Sequence, residues 1–294
     1  MWSDRDIGYI YFGLGCIYIL PSFICLSVLT RPPLVYQSSY KMMCFISLMD
    51  MFNIAACCFF AGTYSIMGAT YQNTPSMLAV GSISLAFWVS YCAMNIILAF
   101  DRLICFSSPK WSSILFSGRR AFYWIGLAVL AGVQMLIEFD GKQLYHYDSS
   151  IGGWRFELLP LGTKNYRHMF INVGTFTLLV LLYSSMVVII CKKGTKDKFQ
   201  TQVALQSAAI CGFAMGADIF CIIVQNIEEP SVAMCYGANF AWQIAHGGTE
   251  YAVLIMNRSI REATLRYIYR LLGICGIKMS TSTVATISTH ATLN

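Results

Sequence analysis

The chain has 294 residues, 57% of them hydrophobic and only 12% charged, with a formal net charge of +6. That balance excludes an ordinary water-soluble domain of this size. The positive charge lies on short connections between apolar runs, which suits an anionic lipid surface and argues against nucleic acid as a partner.

Taken in chain order, seven runs are long enough to cross a hydrocarbon layer of ~30 Å. They are Tyr9 to Leu29, Met42 to Met67, Leu78 to Phe100, Ala121 to Phe139, Met169 to Cys191, Val203 to Val224 and Met234 to Met256, and none contains Lys or Arg. Lipid offers no partner to a bare peptide group, so each run is predicted to be a helix. The stretch "MWSDRDIGYIYF" has no basic leader and no small-residue cleavage site, so the first run is expected to be retained.

Orientation follows from the basic residues. Connections after the odd-numbered runs, together with the C-terminal segment, carry fifteen Lys and Arg, against five on the other side. The positive-inside rule then places the N-terminus outside and the C-terminus in the cytosol. Past the seventh run, "NRSIREATLRYIYRLLG" sets Ile260, Thr264, Ile268, Leu271 and Leu272 on one face and Arg258, Glu262, Arg266 and Arg270 on another. An amphipathic eighth helix over about 257–272 on the inner leaflet is the expectation. Residues 1–272 then form one all-α membrane bundle, and 273–294 form a disordered Ser/Thr-rich tail. Cys275, beside the end of that helix, is a candidate for lipidation.

The outer connection from Asp140 to His168 carries aromatics and a Gly-Gly turn, so it reads either as a lid folded back over the bundle or as an exposed loop. Neither it nor the first outer connection contains cysteine, so no disulfide can join it to the third run. The twelve cysteines fall mainly within runs or on the cytosolic side and read as small apolar fillers. No Cys or His spacing suggests a metal, and no cofactor is expected.

Charged and amide side chains inside apolar runs are costly and therefore mark function or helix contact. Asp50, Asn53, Asn95 and Glu250 lie at similar depth in the inner half, Asp50 about 12 Å in at ~1.5 Å per residue. They are expected to form a hydrated polar cluster, serving as a two-state switch with or without a bound cation, or as static glue between helices. In the outer half, Asp218, Asn239, Trp242, Gln243 and His246, with Trp88, are candidates for a small-ligand pocket. At the inner mouth of the third run, "NIILAFDRLICF" sets Asp101 beside Arg102, where the arginine can reach water while the acid holds it. Such a pair can open when the bundle opens and release the arginine to a partner protein.

Seven runs with an outer N-terminus, an Asp-Arg pair at the third run's inner end and an amphipathic eighth helix resemble G-protein-coupled receptors. The segments "YKMM", "MDM", "GSISLAFWVSYC", "ILAFDR", "LQSAAIC", "WQIAHGG" and "NRSIR", in order from Tyr40 to Arg261, resemble the nematode serpentine receptor class T chemoreceptors. The resemblance implies a receptor in the plasma membrane of sensory neurons that binds a small external molecule and activates a heterotrimeric G protein. Arg102, the basic loop with Lys192, Lys193, Lys196 and Lys198, and Arg258 would form the dock. Two departures stand out: Asp101 replaces the Asn usual in that family, and an outer Cys expected near Tyr71 to Asn73 is missing, leaving the anchoring of the long loop open.

Other functions fit less well. Retinal needs a lysine within a span, and there is none. "GFAMGAD" lacks the Gly-x-Gly-Asp form of aspartyl proteases of the membrane, so no enzyme activity is expected. A seven-span carrier or channel is the alternative, although paired halves with broken helices are not evident.

Overall fold

A computed structural model describes residues 4–137, 143–160, 163–193, 198–227 and 230–274. In chain order its helices are α1 (Asp4–Leu29), α2 (Ser38–Ile54), α3 (Ala61–Met67), α4 (Ser76–Ser107), α5 (Pro109–Phe116), α6 (Arg120–Ile137), α7 (Tyr166–Lys193), α8 (Lys198–Asn226), α9 (Val232–Met256) and α10 (Arg258–Ile274). Between α2 and α3 the helix continues as a wider π turn, Ala55–Phe60. One antiparallel hairpin, β1 (Gln143–Asp148) and β2 (Gly153–Leu158), interrupts the helical pattern between α6 and α7.

Among the described residues, six helices are long and apolar enough to cross a membrane: Asp4–Leu29, Ser38–Met67, Ser76–Ser107, Arg120–Ile137, Tyr166–Lys192 and Leu205–Asn226. The helix α9 has the length, 25 residues, but its apolar character is diluted by Asn239, Gln243, His246, Thr249 and Glu250, all of them buried. Those side chains face protein and not lipid, which is where an intramembrane polar group is tolerated.

Most side chains of α4 are buried, whereas α6 and α7 turn most of theirs outward, so α4 is the axis of the bundle. At 32 residues it extends about 48 Å at ~1.5 Å per residue, longer than the hydrocarbon layer, and must tilt or protrude. One apolar core runs from Cys25 through Met94 and Trp242 to Ile260 and joins α1, α2, α4, α9 and α10.

Two local features show how the helices meet. Pro21 lies inside α1 and has no N–H for the carbonyl of Ile17, and the hydroxyl of Tyr251 on α9 donates to that carbonyl at 3.1 Å. The π turn places the carbonyl of Cys57 where Asn239 and Gln243 of α9 donate to it, at 3.3 and 2.8 Å. Such turns open the backbone ladder to outside partners.

The helix α10 follows α9 across Asn257, whose Oδ1 accepts from the Ile260 N–H at 3.0 Å as a helix cap. Ile260 and Thr264 are buried beneath α10, and the guanidinium of Arg31 lies 4.2 Å over the Tyr267 ring. The tail from Cys275 onward, including that lipidation candidate, lies outside the described residues.

Candidate functional site: a lidded cavity and the polar chain beneath it

The aromatic residues of the long connection explain its shape. On β1 and β2, Tyr145, Tyr147, Trp154 and Phe156 pack onto the helices instead of facing water. Gly152, at φ +58, makes the turn, and a Cβ there would meet the Tyr236 ring. Opposite, the hairpin backbone lies directly on α4, and a Cβ on Gly81 would collide with the Tyr145 carbonyl.

Hydrogen bonds to α1, to α3 and to the residue just before α7 fix the hairpin. Tyr11 donates its hydroxyl to the Gly152 carbonyl at 2.8 Å, Ser65 and Tyr147 share a 2.6 Å bond, and the Asn165 amide donates to the Tyr145 hydroxyl at 2.9 Å. Every described cysteine is free, so these contacts hold the hairpin without a disulfide. At its edge Arg155 bridges Asp148 and Glu157, at 2.8 and 2.9 Å. Burial works against the Asp148 charge, yet the Ser150 hydroxyl and the Arg155 guanidinium hold its carboxyl below the usual value.

Under the hairpin is a cavity of 510 Å³, walled by β2, α7, α8 and α9. Apolar residues make up more than half of its lining, Trp154, Phe156 and Trp242 among them; His168, Gln225 and Asn239 are polar groups on the helix walls, and Arg155, Glu157, Thr163, Lys164 and Asn165 are polar groups on the hairpin and the segment before α7. That is the usual composition of a small-molecule site.

From the cavity a chain of contacts leads inward. The Gln225 amide meets His168 Nδ1 at 2.6 Å, the Asn172 amide meets His168 Nε2 at 3.3 Å, and the Trp88 indole N–H donates to Asn172 Oδ1 at 3.0 Å. Trp88 presents its ring edge-to-face to His246, with centroids 5.5 Å apart. His246 Nδ1 in turn contacts Asp50 Oδ1 at 2.6 Å, and both side chains are fully buried.

The six pocket candidates therefore separate. Asn239 and Trp242 line the cavity, whereas Trp88, Gln243 and His246 are engaged deeper, by Asn172, the Cys57 carbonyl and Asp50 respectively. Asp218 is also off the cavity wall; it is fully buried beside Cys92 and Cys221, and neither carboxylate oxygen has a hydrogen-bond partner among the described residues. Nothing in the structure explains its solitude.

The cluster expected of Asp50, Asn53, Asn95 and Glu250 is arranged differently. All four are buried, but the amide nitrogens of Asn53 and Asn95 donate within their own helices, to the Met49 and Tyr91 carbonyls at 2.9 and 3.0 Å. Asp50 has His246 as its partner, while Glu250 lies beside Ser47 and Cys25 and close to Asp50. A helix interior satisfies a lone asparagine most cheaply through its own backbone, which is why the amides do not converge.

At the opposite end of α4, Asp101 accepts from Arg102 Nε at 3.1 Å, and the guanidinium also reaches Ser39 at the start of α2. Asp101 is 2% exposed and Arg102 12%, so the pair is largely withdrawn from water. Arg258 pairs with Glu262 along α10 at 2.7 Å. Lys192 is exposed. Lys196 and the side chains of Lys193 and Lys198 lie outside the described residues.

Several contributors escaped the sequence reading: His168, Gln225, Trp154 and Arg155 at the cavity, Asn172 behind it, and Tyr40, Gln206 and Asn257 at the other end. Asn257 is 5% exposed and donates to Gln206 Oε1 at 2.7 Å, so it ties α8 to the α9–α10 junction. The i, i+4 spacing of His168 and Asn172 in "YRHMFIN" was the available signal. Polar residues one turn apart share a helix face.

Comparison with known proteins agrees with this architecture. The family model for the serpentine type 7TM GPCR chemoreceptor Srt matches residues 3–273. Among solved structures, squid rhodopsin is similar with a TM-score of 0.76 at 12% identity, over 99% of this chain and 91% of the other. At that identity the likeness concerns the fold alone. No curated protein matches the chain.

Proposed function

Because the chain belongs to the serpentine chemoreceptor family Srt, a family of seven-transmembrane G-protein-coupled receptors, we propose that it binds a small external molecule beneath the hairpin. Occupancy there activates a heterotrimeric G protein at the opposite face. The observation that carries this reading is the 510 Å³ cavity, closed on one side by an anchored lid and continuous through side-chain contacts with the buried Asp50.

The orientation is the one set by the basic residues: hairpin outside, α10 in the cytosol, in the plasma membrane of sensory neurons. The mechanism is a shift of populations, in which a ligand with higher affinity for one packing of α7, α8 and α9 enriches that packing. At the cytosolic mouth the Arg102–Asp101–Ser39 contact opens, and Arg102 joins the dock with Lys192, Lys193, Lys196, Lys198 and Arg258. The Arg258–Glu262 pair is exposed and offers little resistance to that exchange.

Purified protein in liposomes tests the proposal. Expected is nucleotide exchange on an added G protein that rises with ligand and is abolished by Arg102→Ala while ligand binding persists. Solute flux across the same liposomes without G-protein activation would point to a carrier, and coupling retained in Arg102→Ala would remove that residue from the dock.

A further inference from the structure

Donor and acceptor bookkeeping around His168 goes further than the location of the cavity. The Trp88 indole can only donate, so the Asn172 group that it meets must be the amide oxygen. The Asn172 nitrogen is thereby turned toward His168 Nε2, which must accept and carries no proton. A neutral imidazole with a bare Nε2 is protonated at Nδ1, so that nitrogen donates. The structure sets Gln225 Nε2 at 2.6 Å from that nitrogen, which would bring two donors together, so the amide must be turned over, with its oxygen, which has no other partner among the described residues, accepting from Nδ1. The amide nitrogen of Gln225 is left facing away from His168, with two N–H donors unspent on a residue that lines the cavity.

Two more donors stand on the same wall. The indole N–H groups of Trp154 and Trp242 have no acceptor among the described residues, and Trp242 is 7% exposed. Against them, the described residues of the wall hold one buried acceptor without a partner, Asn239 Oδ1, on a side chain 4% exposed whose nitrogen is committed to the Cys57 carbonyl. Among the described residues full charges offer little to a ligand inside: Arg155 and Glu157 hold each other, Asp148 holds Arg155 as well, and Lys164 is exposed at the rim, where water screens it. Buried donors without partners are expensive, so an occupant that supplies acceptors is favoured.

We propose that the cavity selects uncharged small molecules carrying a hydrogen-bond acceptor such as a carbonyl on an apolar skeleton, and that Gln225 is the specificity-determining residue, oriented by Trp88 through Asn172 and His168. This rests on the cavity being the ligand site.

Two measurements on the full chain in lipid nanodiscs test it. The first is nitrogen NMR of ¹⁵N-histidine-labelled protein, with the His168 signal identified by its loss in His168→Asn. Expected is a neutral ring protonated at Nδ1, a state that Asn172→Leu no longer enforces; protonation at Nε2, alone or with Nδ1, at neutral pH overturns the proposal. The second compares heptan-2-one, heptane and heptan-2-amine as probes, by binding to wild type, Gln225→Leu and Gln225→Glu. Wild type should prefer the ketone. Gln225→Leu should weaken the ketone about tenfold, the worth of one hydrogen bond, and leave heptane unchanged. Gln225→Glu, which still accepts from His168 but offers no donor, should shift preference toward the amine. If the probes bind and all three proteins rank them alike, the role of Gln225 is wrong although the cavity reading survives. If none of the probes binds, the cavity reading fails and the proposal with it.

Discussion

His246 and Asp50 are shut off from solvent and meet at 2.6 Å, 196 positions apart in the chain. Removing one member of such a pair strands the other where neither water nor lipid can serve it. His246→Leu is therefore expected to cost about 3 kcal/mol, read as a fall in the thermal unfolding midpoint of the detergent-solubilised protein. The double variant with Asp50→Leu should recover much of the loss, because no stranded group remains. His146, on the hairpin and outside the membrane, responds to acid instead. Burial lowers its proton affinity below the ordinary value of 6.5, with Asp148, Glu157 and the Leu144 carbonyl working the other way and Arg155 in the same direction. The folded hairpin then binds fewer protons than the loosened one, so its stability is full above about pH 6.5 and declines as pH falls below that. Amide hydrogen exchange in β1, corrected for intrinsic rates, should speed up between pH 6.5 and 5, and His146→Gln should remove most of that dependence.

The hairpin is the element that sequence patterns described least well. Its Gly-Gly turn and its aromatics were visible, but strands and register were not, because Tyr145, Tyr147 and Trp154 owe their positions to Asn165, Ser65 and Tyr64, residues outside the hairpin. The helices were legible for the opposite reason. Long apolar stretches have to satisfy their own backbone in lipid, and that requirement is written locally. The amphipathic α10 was equally plain, since its buried and charged faces repeat along one segment. The polar chain from Gln225 to Asp50 draws on α8, α7, α4, α9 and α2, so no single segment carries its pattern. Seating of the hairpin depends on one missing side chain. In Gly81→Val the new atoms would collide with the Tyr145 backbone, and faster hydrogen exchange across β1 and β2 is expected, with the exchange of α2 unchanged.

For the molecule as a whole, direction in the membrane decides what each end can do. The count of basic residues along the sequence assigns fifteen of them to the side that carries α10, so an epitope at the C-terminus of cell-expressed protein should be reached by antibody only after permeabilisation. Labelling of intact cells would reverse the assignment of the cavity to the outside. The arrangement also separates two kinds of holding force: an aromatic and hydrogen-bonded cap at one face, and an arginine clasp with an asparagine-capped junction at the other. The cap has a practical corollary. A mouth assembled from tyrosine hydroxyls, amides and packed rings needs no oxidising step during maturation, so cell-free synthesis in a thiol-rich lysate should yield the same lidded entrance as passage through a secretory compartment.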